Sequence, residues 1–345
     1  MPRLIIKAGR LTGRRDLMKK RGSIFAAFCC MILCLLAGCG STSGTGGRDV
    51  DSADSILENS GEKELSIVTT IFPPYDFARE VAGEHARVTQ LLPAGAESHT
   101  FEPTPRDIVQ IQNCDLFIYA GGESDTWIEE ILDSVDTNQV RFLSMLDCVQ
   151  AVEEEMVEGM QEESGYEEES ELDEHVWTAP QNAVLITEKI AEALADIDAA
   201  HAADYEANAA AYIEKLQSLD KEYRQALENS ERKTIIVGDR FPFRYLADAY
   251  GLSYYAAFPG CSEDAQPSAA TLAFLINKVK EERIPVVFYI EFSNEKVAGS
   301  ICESTGAKRL LLHSCHNVSG VELKAGVTYL DLMEQNLTNL KEALQ

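Results

Sequence analysis

The chain has 345 residues, 45% of them hydrophobic, which is enough for two domains of ordinary size. Its 30 basic and 57 acidic residues give a formal charge of −27, which excludes nucleic acid as a partner because that needs a basic face. Such acidity suits cation attraction and keeps a chain off anionic lipid headgroups.

Lys19-Lys20-Arg21 precede an apolar run, residues 24–36, that ends in Leu36-Ala37-Gly38-Cys39. A basic stretch, a short apolar stretch and small residues before a cut site mark a secretory signal. The run is too short for a comfortable membrane span. A cysteine directly after Ala-Gly resembles the bacterial lipobox, which implies cleavage before Cys39 and lipid on its thiol; an uncleaved anchor is the alternative. Residues 1–38 are therefore expected to be a signal peptide. Residues 39–63, rich in Gly, Ser, Thr, Asp and Glu, read as a lipidated flexible tether. Residues 39–345 carry 22 basic and 56 acidic residues, a formal −34. The expected place is outside the cell, held by lipid on the outer face of the bacterial cell membrane.

The first lobe is expected over residues 64–198. A β-rich run at 65–70 is broken by Pro73-Pro74, and 75–81 looks helical. Residues 88–92 form a second strand. The loop Gly95-Ala96-Glu97-Ser98-His99-Thr100-Phe101-Glu102-Pro103-Thr104-Pro105 follows, and then a helix at 107–112. Residues 115–120 are a short apolar strand closed by Gly121-Gly122, and 126–132 a further helix. Residues 153–174 form an acidic low-complexity run that reads as a solvated, disordered loop able to collect cations near His175. Residues 180–197 are helical.

A longer helix follows within a linking segment, 199–231. Tyr205, Ala209, Tyr212, Leu216, Leu219, Tyr223 and Leu227 recur at three and four residues along one face. From 202 to 229 it spans roughly 40 Å at 1.5 Å per residue, long enough to join two lobes stiffly. The second lobe, 232–345, repeats the alternation, with strands at 233–237, 252–257, 285–290 and 310–312. Its helices fall at 245–250, 269–280, 294–305 and 327–343. The expected fold class is α/β: two lobes, each a mostly parallel sheet flanked by helices, joined by one long rigid helix.

Three histidines stand in loops or just after predicted strands, and both lobes contribute: His99, His175 and His313. Ligands bind at the C-terminal strand edges of α/β sheets. Neutral imidazole is the commonest ligand for first-row divalent metals. His316, three residues beyond His313, is read as solvent-facing or as support behind a ligand. His85 and His201 receive no role.

Several motifs carry a resemblance: Phe72-Pro73-Pro74-Tyr75, Ser98-His99-Thr100-Phe101-Glu102-Pro103, Asp173-Glu174-His175-Val176-Trp177, residues 245–252 and Phe288-Tyr289-Ile290-Glu291. Over residues 64–345 the chain resembles the zinc- and manganese-binding solute-binding proteins of ABC importers, cluster A-I type. That resemblance implies a periplasmic-binding-protein-like fold of the helical-backbone kind. It implies His99 and His175 as the first two metal ligands, with an acidic loop before His175. It also implies a membrane ABC permease as partner and a monomeric carrier. The family's third ligand falls at Arg240, which cannot bind metal, so Asp239, Glu291 or water is left to serve. The family's C-terminal aspartate falls at His313. Three imidazoles and a carboxylate suit Zn2+ better than the alternative, Mn2+, which prefers oxygen.

From residue 39 onward six cysteines remain, Cys39 being the lipid site. No C-x-x-C occurs among Cys114, Cys148, Cys261, Cys302 and Cys315, so a thiolate zinc knuckle is not expected. A Cys261–Cys315 disulfide is expected because both lie in loops after predicted strands at one sheet edge; buried thiols are the alternative. Two rival functions stand beside zinc capture. A surface adhesin would hold a structural metal. A metal-dependent surface hydrolase would need His-Glu-x-x-His or Gly-x-Ser-x-Gly, and neither occurs.

Overall fold

The computed structural model describes residues 64–132, 139–160, 171–262 and 266–345. They belong to one compact unit, Gly61–Gln345. The expected signal peptide, the tether with Cys39, and residues 161–170 of the acidic run lie outside the described residues.

The first sheet contains β1 (Leu65–Thr69), β2 (Ala86–Gln90), β3 (Leu116–Tyr119) and β4 (Arg141–Ser144) in the order β2-β1-β3-β4. The second contains β5 (Thr234–Arg240), β6 (Ser253–Phe258), β7 (Val286–Tyr289) and β8 (Lys308–Leu311) in the order β6-β5-β7-β8. All pairings named for these strands are parallel. The two sheets share one topology, and each places its switch in strand order beside its first strand, the location where α/β folds bind ligands. β4 was not anticipated, because its run Arg-Phe-Leu-Ser is short and starts exposed.

Helices cover the sheets. α1 (Phe72–Ala82) starts before Pro73-Pro74, not after them, because proline is tolerated in a first turn where its missing N–H is not needed. α2 (Pro105–Gln112) opens on a Thr104–Asp107 capping box and α3 (Trp127–Leu132) is short. α4 (Pro180–Ile197) matches its expected span. α6 (Arg244–Tyr250), α7 (Ala269–Glu282), α8 (Lys296–Thr305), α9 (Gly320–Ala325) and α10 (Tyr329–Leu344) follow. α9 was missed, although Ser319 and Glu322 form a capping box that signals it.

The 27-residue α5 (Ala202–Glu228) is the spine, about 40 Å long. Its buried residues are the seven of the expected stripe. It packs on α1 and α4 of the first lobe and on α6 and α10 of the second. Tyr223 donates to the Met333 carbonyl at 2.7 Å in α10. One apolar core runs unbroken from Ile67 and Phe72 through Tyr212 and Tyr223 to Val237 and Leu340. A shared core of this kind resists a wide hinge swing, since close-packed interiors deform little.

The described residues of the acidic run are held by the fold, which corrects the expectation of a wholly solvated loop. Glu153 pairs antiparallel with Leu172. Glu154 accepts from the Cys261 N–H at 3.1 Å, and Glu155 meets Arg244 at 2.9 Å and the Tyr254 hydroxyl at 3.1 Å. Residues 152–155 thus strap the first lobe to the second.

Candidate metal centre

Loops from the C-terminal strand edges of both sheets converge. His99 comes from the loop after β2, Ser124 from that after β3, and Glu174 and His175 from the segment before α4. His316 comes from the loop after β8. One donor atom each from His99, Glu174, His175 and His316 lies within 4.8 Å of the others. Zinc tetrahedra with bonds of about 2.0–2.1 Å have edges of about 3.3 Å, so modest closure brings the four into contact with one ion.

Each imidazole is held by a partner behind it. His175 Nδ1 lies 2.9 Å from Asp173 Oδ1, a carboxylate that can only accept, so the ring proton is on Nδ1. Ser124 Oγ donates to Glu174 Oε1 at 2.6 Å and therefore accepts from His99 Nδ1–H at 2.8 Å. Ser314 Oγ donates to Glu291 Oε1 and so accepts from His316 Nδ1–H at 3.0 Å. In its neutral form each ring then carries its lone pair on Nε2, the tautomer a metal needs. The Nε2 atoms of His175 and His316 are buried without a hydrogen-bond partner. Buried polar atoms without a partner are costly, and a cation taking the place of a proton there satisfies a neutral ring.

Charge is set to match. Burial, then the charges of His175 and Arg240, pull the His99 ring well below its ordinary range. Burial, with the charges of His175 and His99 next, does the same to His316. Both stay neutral. Burial also acts against protonated His175, but the charge and hydrogen bond of Asp173, with Glu174 and Glu154 behind, outweigh it and raise that ring. Glu174 is raised by burial, against the pull of His175 and Ser124.

The structure does not bring His313 into this group. Its Nδ1 accepts the Cys315 N–H at 2.9 Å, the opposite tautomer, and its backbone N–H and carbonyl are both bonded to Asn336. Cys315 lies at φ 66°, a left-handed turn between the two histidines, which separates the faces their rings meet. His316, read from sequence as support, takes the place expected of His313. The fully polar run His-Ser-Cys-His-Asn after an apolar strand marked the loop without saying which histidine turns inward. Asp239 and Glu291 also stand outside the group. Asp239 accepts from the Ser293 hydroxyl and the Arg240 N–H; Glu291 holds the Ser314 hydroxyl and its N–H. Arg240 pairs with Glu97 at 2.9 Å. The expected Cys261–Cys315 bridge is not formed: Cys315 is a buried thiol with its Sγ on the His313 carbonyl. Glu174 is the donor that sequence reading passed over, although it sits beside His175.

Two further contacts fix the loops to each other. Asn317, 1% exposed, donates to the carbonyls of Pro93 and Ala96 at 2.8 and 3.0 Å, in the loop that carries His99. Its Oδ1 accepts from Gln90 at 3.0 Å. Trp177 Nε1 donates to the Ser314 carbonyl at 2.8 Å, tying the His175 segment to the His316 loop.

Asp125 lies under the centre, bonded to the N–H groups of Ala120 and Gly121 at 2.8 and 3.1 Å. Burial, reinforced by the Glu174 charge, pushes its carboxyl up to about 7 from an ordinary 3.8. Between those values the folded chain keeps a proton that the unfolded chain has released. Its contribution to stability therefore falls as pH rises through that window and is lost above about 7. Asp125→Asn, neutral throughout, is expected to gain on the parent by a few kcal/mol, order of magnitude, between pH 5 and pH 8. Urea unfolding of the metal-free protein at both pH values measures this; a gap independent of pH would refute it.

Residues 67–343 match the family described as ZnuA, zinc-uptake complex component A, periplasmic. The chain belongs to the ZnuA family. Relatives agree. The zinc-binding lipoprotein AdcA of Streptococcus pneumoniae is 35% identical over 286 residues, 83% of this chain and 57% of that protein. The high-affinity zinc uptake system protein ZnuA of Bacillus subtilis is 34% identical over 334 residues, 95% of this chain and 99% of that protein. The crystal structure of the Zn(II)-bound ZnuA-like domain of S. pneumoniae AdcA superposes with a TM-score of 0.69 at 34% identity. It covers 81% of this chain and 99% of the domain. The chain thus spans little more than half of AdcA, but nearly all of the B. subtilis ZnuA-family protein. The two-lobed α/β architecture inferred from the strand and helix alternation is that of the ZnuA family.

Proposed function

We propose that this chain captures Zn2+ between its lobes through His99, His175, His316 and Glu174, and passes it to an ABC-type permease. In this reading it works outside the cell, exported by residues 1–38 and held to the membrane by lipid on Cys39. One observation carries the proposal: three imidazoles from both lobes, each with Nδ1–H committed behind it, share one buried space with a carboxylate. Nitrogen donors in that number favour Zn2+ over Mn2+. Four protein donors complete a tetrahedron and leave no open position for an attacking water, so the site is a carrier's and not a hydrolase's. The shared core along α5 goes with small closure movements about the ion, not wide swings. Family membership and the zinc-binding relatives support the same cargo.

The test is metal titration of the chelator-stripped protein against a competing chromophoric chelator. One Zn2+ per chain, bound more tightly than Mn2+, is expected. Absence of stoichiometric zinc, or preference for Mn2+, overturns the assignment.

A further inference from the structure

Two cavities meet beside the metal centre. The smaller one, about 10 Å3, is lined by His99, His316 and Ser314 among others and has room for a single ion-sized occupant. The larger one, about 230 Å3, carries the carboxylates of Glu97 and Asp239. Four residues line both: Glu97, His99, Arg240 and Phe292. The two spaces therefore communicate past these side chains.

Arg240 reaches over the cleft from the end of β5 and binds Glu97 Oε2, in the loop of the other lobe, at 2.9 Å. Its second arm meets the Ser262 carbonyl at 3.3 Å. The register of β5 slips between Val237 and Arg240, a distortion of the kind that re-aims side chains beside sites. Phe292 is held at φ 58° with 43% of its surface exposed, an unusual backbone for an aromatic residue and one that strains it. None of the three belongs to the cluster of His99, Glu174, His175 and His316.

We propose that the Arg240–Glu97 ion pair, flanked by Phe292, is the gate through which the cation enters and leaves. This inference rests on the zinc-capture reading above. A dication arriving in the larger cavity competes with the guanidinium for Glu97. Once Arg240 is displaced, the ion moves from the Glu97 carboxylate to His99, two residues along the same loop, and on to the inner donors. Arg240 then closes behind it. Its positive charge slows entry, and its bond to Glu97 bars escape, so the residue sets both rates.

Stopped-flow mixing of the metal-free protein with Zn2+, and of the zinc-loaded protein with excess chelator, reads both rates. Arg240→Gln removes the bar and keeps the carboxylate, so association should rise roughly tenfold or more, and dissociation should rise as well. Glu97→Gln leaves an unpaired cation at the mouth, so association should fall. Opposite signs in the two variants are what a merely structural ion pair would not produce. Parent-like rates in both variants, or a shared fall in affinity without opposite changes in association, overturn the gate while leaving zinc capture intact. Failure of the unsubstituted chain to bind zinc sinks both.

Discussion

His316→Ala is expected to weaken zinc binding by more than about 100-fold, beyond the 10–100-fold typical of residues that only support a ligand. His316 offers a buried Nε2 with no other partner, and its ring centroid lies 4.7 Å from that of His175 and 5.1 Å from that of His99. His313→Ala removes a ring that accepts the Cys315 N–H and touches the cluster only through its loop, so its loss should stay within the supporting range. Competition with a zinc chelator at fixed pH measures both. The reverse order of effects would mean that the loop after β8 is turned over in solution, with His313 as the donor.

Trp177→Ala should cost about 3–5 kcal/mol of stability, the usual loss for a large aromatic removed from a core. Trp177 is fully buried, with its ring 4.8 Å from His316 and 5.6 Å from His175. Its carbonyl also accepts from the Tyr329 hydroxyl at 2.6 Å, a link to α10. Trp177→Phe keeps most of the bulk but leaves the buried Ser314 carbonyl without its donor, a penalty of about 1–3 kcal/mol. Both variants should also lower zinc affinity, because the bond they break holds the His316 loop. Urea unfolding with and without zinc separates the two effects; a Phe variant with parent-like stability and affinity would show that the indole N–H does neither job.

Much of this molecule is legible in its residues. Helical period is local, so the α5 stripe from Tyr205 to Leu227 reads directly off the chain, and so do the short apolar strands of a sheet buried on both faces. His99 stands in a loop of turn formers and His175 directly after the acidic run, and the motifs around both carried the resemblance. Boundaries were less certain where a rule has an exception, as at Pro73-Pro74, where α1 already begins at Phe72.

The choice among donors was not local. His313 and His316 are three residues apart in one polar loop, and nothing in that run says which ring turns inward. A left-handed Cys315, the Asn336 amide on His313, and the Glu291–Ser314 relay behind His316 decide it, and these partners meet only after folding. The same holds for Glu174, oriented by Ser124 fifty residues away, and for Arg240, whose partner Glu97 belongs to the opposite lobe. It holds too for Cys315, whose burial keeps it a thiol. Sequence alone therefore determined the two-lobed α/β frame, its stiff spine and two of the imidazoles, because propensity and periodicity act between near neighbours. The remaining members of the cluster, their tautomers and the Arg240–Glu97 pair across the cleft were decided by tertiary structure, because each depends on hydrogen bonds between segments distant along the chain.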